Sequence, residues 1–256
     1  MPSAHFTNLV ASTQELKRVY LDAGLATPAP NPDHQELARA FVALAHAEFE
    51  YYVEEALRGL ATAVLNGAVS GHFSRASMAL LSFSGIPSLN GGATLSAGKR
   101  KNPRQLATRF GDAHGALVAI VDGNNGVRER HLAAMAIPLG LDASSIDATW
   151  LNDLDAFCSL RGAFVHMSRT SQRGSHLAVN PHDVWAKCKS LIWTNPAIAT
   201  PNIISSFESL DLWVESEAQS FGSLVAAPNW RLRTRYFLMS AMRKLGRRNQ
   251  GTRADD

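Results

Sequence analysis

A chain of 256 residues, 46% hydrophobic and 18% charged, has ordinary globular composition and length enough for one or two cored domains. The opening MPSAHFTNLVAS lacks a basic stretch followed by an apolar core, and no apolar run reaches the roughly 18 residues of a spanning helix, so a secretory signal and a membrane anchor are not expected. The net charge of +3 is unevenly spread: after Pro228 eight basic residues face two acidic ones, so the tail carries +6 and the rest of the chain −3.

Two cysteines, Cys158 and Cys188, both in apolar helical surroundings, read as reduced core residues, which fits a cytoplasmic address. Zinc-spaced Cys/His pairs, a P-loop and a glycine-rich dinucleotide motif are all missing, so neither a metal nor a cofactor is expected.

In chain order, residues 3–23 predict a first helix whose apolar stripe is Leu9, Val10, Leu16, Val19, Tyr20 and Leu21. GLATPAPNPD breaks it, and Asn31-Pro32-Asp33 is a start signal for the next element. Residues 33–66 predict a long central helix with Leu37, Phe41, Leu44, Phe49, Tyr52 and Val53 toward the core, ended by Gly67. Shorter helices are expected near 72–84, 104–122 and 127–138. Between the first two lies a long Gly/Ser/Asn-rich stretch carrying the basic cluster GKRKNPR at 98–104. A helix over 147–168, a polar loop, a helix at 181–192 opened by Pro181, and a last one near 202–223 complete an all-α up-and-down bundle. The expected division is a helical domain over 1–228 and a basic amphipathic tail over 229–256.

Among the arginines followed by a histidine after four to six intervening residues are Arg39/His46, Arg109/His114 and Arg161/His166. About two such pairs are expected by chance, so context has to choose between them. His46 sits among alanines in mid-helix, and Arg109 has Asp112 nearby as an ion partner; both pairs read as structural. Arg161 and His166 close an apolar helix that runs into the polar Ser168, Arg169, Thr170 and Ser171. Five helical residues separate the two side chains by about 140°, so they would flank a cleft at a helix end beside a loop, where chemistry is usually placed. The bland alternative pairs Arg161 with Asp153 or Asp155 on its own helix.

WLNDLDAFCSLRGAFVHMS, followed by a polar loop and NPHDVWAKCKSLIW, resembles the bacterial HEPN proteins of the RiboL-PSP type. The earlier ARAFVALAHAEFEYYVEEAL, with Phe49-Glu50-Tyr51 at its centre, is similar to the opening long helix of that domain, and the resemblance spans roughly 33–222. It implies a helical bundle, commonly a homodimer, and in many members a metal-independent endoribonuclease of toxin–antitoxin or antiviral type, with Arg161 and His166 as the catalytic residues. An antitoxin or nucleotidyltransferase partner would accompany such a protein.

Around that motif, Glu50 could orient Arg161, and Ser168 and Thr170 could hold a phosphate. Lys99, Arg100, Lys101 and Arg104 in the loop, with Arg231, Arg233 and Arg235 in the tail, are candidates for RNA binding. Trp230, Tyr236 and Phe237 interleave with the tail arginines as stacking platforms would, although the same spacing suits an amphipathic helix on the bundle or a membrane surface, and a simply solvated tail is the plainest alternative. Against the nuclease stand a non-catalytic HEPN module that binds a nucleotide or a protein partner, and an architectural helical protein docked on nucleic acid by its tail.

Overall fold

The computed structural model describes residues 1–83, 103–165, 179–196, 200 and 202–220, excepting the side chains of 103–106 and 163–165. The elements are α1 (Ala4–Tyr20), α2 (Asp22–Leu25), α3 (Pro32–Val69), α4 (Arg75–Phe83), α5 (Pro103–Asp122), α6 (Glu129–Ala136), α7 (Ala148–Val165), α8 (Pro181–Ile192) and α9 (Phe207–Gln219). Two 3₁₀ turns, Ile137–Leu139 and Ala143–Ser145, join α6 to α7. The fold is all-α, and among the described residues strand-like pairing is limited to one isolated parallel bridge between Ile146 and Ile204.

Local chemistry explains most helix starts. The Ser3 hydroxyl accepts the Phe6 N–H at 3.0 Å to open α1. Asn31 and His34 cap each other at the start of α3, where Pro32 sits at a position whose N–H would have no helical partner. Asn180 accepts the His182 N–H at 2.9 Å to open α8 with Pro181 in its first turn, and Ser206 with Ser209 caps α9. Here α6 differs: Arg128 supplies no side-chain cap, and the Glu129 N–H donates at 3.1 Å to Asp155 Oδ1, a carboxylate of α7. Tertiary packing therefore sets where α6 begins.

The long helix α3 is the axis of the bundle, with α1, α5, α7 and α9 all packed along it. Phe41, Phe49, Tyr52 and Val53 are buried as the periodicity predicts. At the core's centre the Phe49 ring lies 5.3 Å from Phe157 and 4.9 Å from Phe207, and Phe207 also meets Tyr52 and Trp150 edge to face. Cys158 and Cys188 are buried and free; burial pushes the Cys158 thiol up to about 11 and the Cys188 thiol higher still, as expected of inert core residues.

Several expectations are corrected. The first helix stops at Tyr20, and Leu21 separates it from the short α2. Gly67 does not end α3, which runs on to Val69 because the next turn keeps its hydrogen bonds and buries Ala68. Val19 is 51% exposed, Leu37 37% and Leu44 40%: a helix among several neighbours buries more than one stripe, and these three positions face outward. The last helix begins at Phe207 because residues 202–206 are spent on the Ile204 bridge and the Ser206 cap. The proposed boundary near 228 and the whole tail lie outside the described residues.

Candidate functional site

On α7 the residues Trp150, Leu154, Phe157 and Cys158 are buried. Arg161 stands eleven residues after Trp150, which at about 100° per residue returns it to the same face. It is half-buried and continues the apolar stripe toward α3. A core-facing arginine at a helix end is thereby explained: its stem continues the stripe while its charge acts on polar groups of the neighbouring helix.

Those groups are His46 and Glu50, one turn apart on α3, with His46 Nδ1 3.8 Å from Glu50 Oε2. The positive charge of Arg161 acts on both. Burial is the main cause pushing the Glu50 carboxyl above its usual range; the nearby Glu54 adds to it and Arg161 opposes it. His46 is only 3% exposed. Its burial, and after that the charges of Arg161, Arg128 and His131, hold its titration down to about 4. At neutral pH the His46 ring is uncharged, so it is a poor proton donor and its role is to shape the site.

The carboxylates that could have neutralised Arg161 within its own helix are engaged elsewhere. Asp153 Oδ1 faces Lys187 Nζ at 3.7 Å, and Asp155 accepts the Glu129 N–H. Among the described residues no carboxylate lies within ion-pair distance of Arg161. A half-buried guanidinium without a close counterion is an anion-binding group in waiting.

From the third side comes the start of α6. Asn124 Nδ2 donates to Glu54 Oε1 at 2.7 Å, tying the preceding loop to α3. The His131 ring lies against Gly126, where an added Cβ would approach Nδ1 to 2.7 Å, so a larger residue there would have to displace the ring. His131 Nε2 accepts from Arg130 Nε at 3.1 Å, and burial together with Arg130 and Arg128 pushes the ring below its usual range. Sequence reasoning missed His46, Arg128 and His131 as members of this group. No spacing rule could have found them, because three separate helices bring them together.

His166, Ser168 and Thr170 lie outside the described residues, as do Lys99, Arg100, Lys101, Arg231, Arg233 and Arg235. Arg104 falls in the first turn of α5, but its side chain is outside the description. Of the remaining Arg/His pairs, His114 on α5 stands 3.5 Å from the Thr62 hydroxyl, and Arg39 is buried beside the core. No helix among the described residues is long and apolar enough to cross a membrane.

The buried His46 makes stability depend on acid with a defined sign. An unfolded histidine titrates near 6.5, so between about pH 6.5 and 4 the unfolded chain binds more protons than the folded one. This contribution is intact above that window and is lost as pH falls through it, roughly 3 kcal/mol in all at about 1.4 kcal/mol per unit. Glu50 works in the opposite sense, since its raised carboxyl takes up a proton earlier in the folded state. In urea melts the His46→Gln chain is expected to lose less stability than wild type between about pH 7 and pH 4.5. Equal losses would exclude His46 as the acid-sensitive group.

The RiboL-PSP-HEPN family model matches residues 8–192, most of the chain. The match begins at 8 and not near 33, in keeping with the packing of α1 along α3, and it stops at the end of α8. No curated protein and no solved structure matches the chain.

Proposed function

The chain belongs to the RiboL-PSP-HEPN family, and from that premise we propose that it is a metal-independent endoribonuclease of toxin–antitoxin or antiviral type, working as a homodimer. The observation that carries this reading is the placement of Arg161: half-buried, on the face of α7 toward α3, its charge acting on Glu50, and in ion-pair contact with no carboxylate among the described residues.

The chemistry that suits such a residue is attack of an RNA 2′-OH on the adjacent phosphorus. One imidazole removes the 2′-OH proton, and the 2′-oxygen forms the new bond to phosphorus. The bond to the 5′-oxygen then breaks, and a second acid protonates that oxygen. The products are a 2′,3′-cyclic phosphate and a 5′-OH end. Arg161, whose planar fork matches two phosphate oxygens, stabilises the charge that develops between those steps. Glu50 is the positioning residue for Arg161.

His166 is the base, because an unperturbed imidazole titrates near neutrality. It supplies one proton-transfer group where two are needed. His46, uncharged until about pH 4, is no donor at neutral pH, and the Nε2 of His131 is taken by Arg130. The second imidazole is therefore assigned to the partner's His166, brought in by a twofold axis. The basic loop (Lys99, Arg100, Lys101, Arg104) and the tail (Arg231, Arg233, Arg235) would add phosphate contacts around this centre, with Ser168 and Thr170 as nearer ones. An antitoxin or nucleotidyltransferase partner would restrain the activity.

Incubating the purified chain with total RNA in EDTA should give cleavage with cyclic-phosphate or 3′-phosphate ends, and 2′-deoxy substitution at the scissile nucleotide should block it. Mixing His166→Ala chains with wild type should depress activity beyond simple dilution, because mixed dimers keep one imidazole. A strict magnesium requirement, or full activity of a monomer, would overturn the mechanism. The second reading, a non-catalytic HEPN module for a nucleotide or protein partner, rests on the same cationic site and predicts binding with no cleavage under either condition.

A further inference from the structure

The positive group at the start of α6 is not part of the Arg-x4-His motif, yet it converges on the same place. Two tethers hold the segment that carries it: Asn124 to Glu54 of α3, and the Glu129 N–H to Asp155 of α7. Val127 between them is buried against the core. The next residue, Arg128, is turned outward and exposed at the rim between α3 and α7. These tethers occupy Glu54 and Asp155, and among the described residues no carboxylate pairs with Arg128.

The Glu129 N–H on Asp155 sets the residue next to Arg128 against α7, the helix that carries Arg161; in keeping with this, the charges of both arginines act on the His46 ring, that of Arg128 also on His131 and Cys158, and that of Arg161 also on Glu50. Neither guanidinium is in ion-pair contact with a carboxylate among the described residues, so both are available to a bound anion. A phosphodiester, whose single negative charge is shared by two non-bridging oxygens, is an anion of suitable shape for two planar forks.

We propose that Arg128 is a second phosphate-binding residue of this site, so that the RNA backbone is gripped between Arg128 of α6 and Arg161 of α7. The proposal rests on the ribonuclease reading for the identity of the ligand as RNA. It extends the site to an element outside the recognised motif and gives α6 a function. Arg161 bears on the reacting phosphate, whereas Arg128, exposed at the rim, contributes binding and register.

The test separates binding from cleavage by using a fluorescent 2′-O-methyl oligoribonucleotide, which cannot be cut by 2′-OH attack. Anisotropy titrations across a salt series would compare wild type with Arg128→Gln, Arg128→Lys and Arg18→Gln. Arg18 is an exposed residue of α1 paired with Glu15 and serves as a control for net charge. Arg128→Gln is expected to weaken binding about 10-fold and to lower the slope of log K against log salt by about 0.7, the value for one lost phosphate contact on a single strand. Arg128→Lys should restore the slope but not the whole affinity, since a point charge replaces a fork.

Thermal midpoints should stay together, because the side chain is exposed. If Arg128→Gln binds like Arg18→Gln, or wild type does not bind the oligonucleotide, the proposal is overturned. If binding depends on Arg128 while cleavable RNA remains intact, the grip stands and the nuclease reading fails.

Discussion

Arg161→Ala and His166→Ala are each expected to slow RNA cleavage by about 10²-fold or more while the chain stays folded. The magnitude follows from the two roles. Losing one preorganised charge on a developing oxyanion, or one matched proton-transfer group, typically costs 10² to 10⁴. Retention of the fold follows from the position of Arg161 at the end of the α7 stripe, half-buried and in ion-pair contact with no carboxylate among the described residues. The measurement is the initial rate on RNA in chelator, next to circular dichroism melts of each variant. His114→Ala, on α5 beside Thr62, should leave the rate close to wild type. Equal loss in that variant would mean the wrong Arg/His pair had been chosen. Glu50→Gln is the intermediate case: it keeps a hydrogen-bonding side chain near Arg161 but removes the charge that orients it.

The largest loss of stability is expected from Phe207→Ala, about 3–5 kcal/mol. Phe207 is fully buried, and its ring meets Phe49, Tyr52 and Trp150, which come from two other helices. Truncating it opens a cavity bordered by rigid aromatic rings that cannot collapse into it. For a chain of this size the thermal midpoint should fall by roughly 10 °C or more. Near α9's start the Tyr52 hydroxyl also donates to the Phe207 carbonyl at 3.1 Å, and Asp211 accepts from the Ser3 N–H at 2.8 Å, so this helix holds α1 and α3 together. The family match stops at residue 192, before this helix. A chain cut at that point is therefore expected to lose cooperative unfolding in urea. A Phe207→Ala loss below about 1 kcal/mol would show that the aromatic cluster is not the centre of the core.

Helix positions were readable from the chain to within a few residues wherever the signals are local. Asn180-Pro181, Asn31-Pro32 and the 3.6-residue recurrence of Phe41, Phe49, Tyr52 and Val53 act within one or two turns, and the helices stand where they say. Errors came where the outcome depended on neighbours. Gly67 has no local reason to extend a helix, yet α3 continues because Ala68 finds a buried place. Leu37 and Leu44 match the periodicity of Phe41 but face outward, since pattern alone does not say how many partners a helix has.

For the site, the sequence by itself determined that Arg161 and His166 stand five positions apart in the chain, with Arg161 near the end of an apolar helix, and that the chain belongs with the RiboL-PSP-HEPN proteins. Spacing along one helix is a local property, so it can be read without a fold. Only the tertiary structure decided that Arg161 lies on the face of α7 toward α3, that Asp153 and Asp155 are spent on Lys187 and on the α6 amide, and that the charges of Arg161, Arg128 and His131 act on His46, which sits one turn from Glu50. Those residues are separated by up to 115 positions along the chain. Their mutual charge and burial, which hold His46 uncharged down to about pH 4, arise only once α3, α6 and α7 have packed.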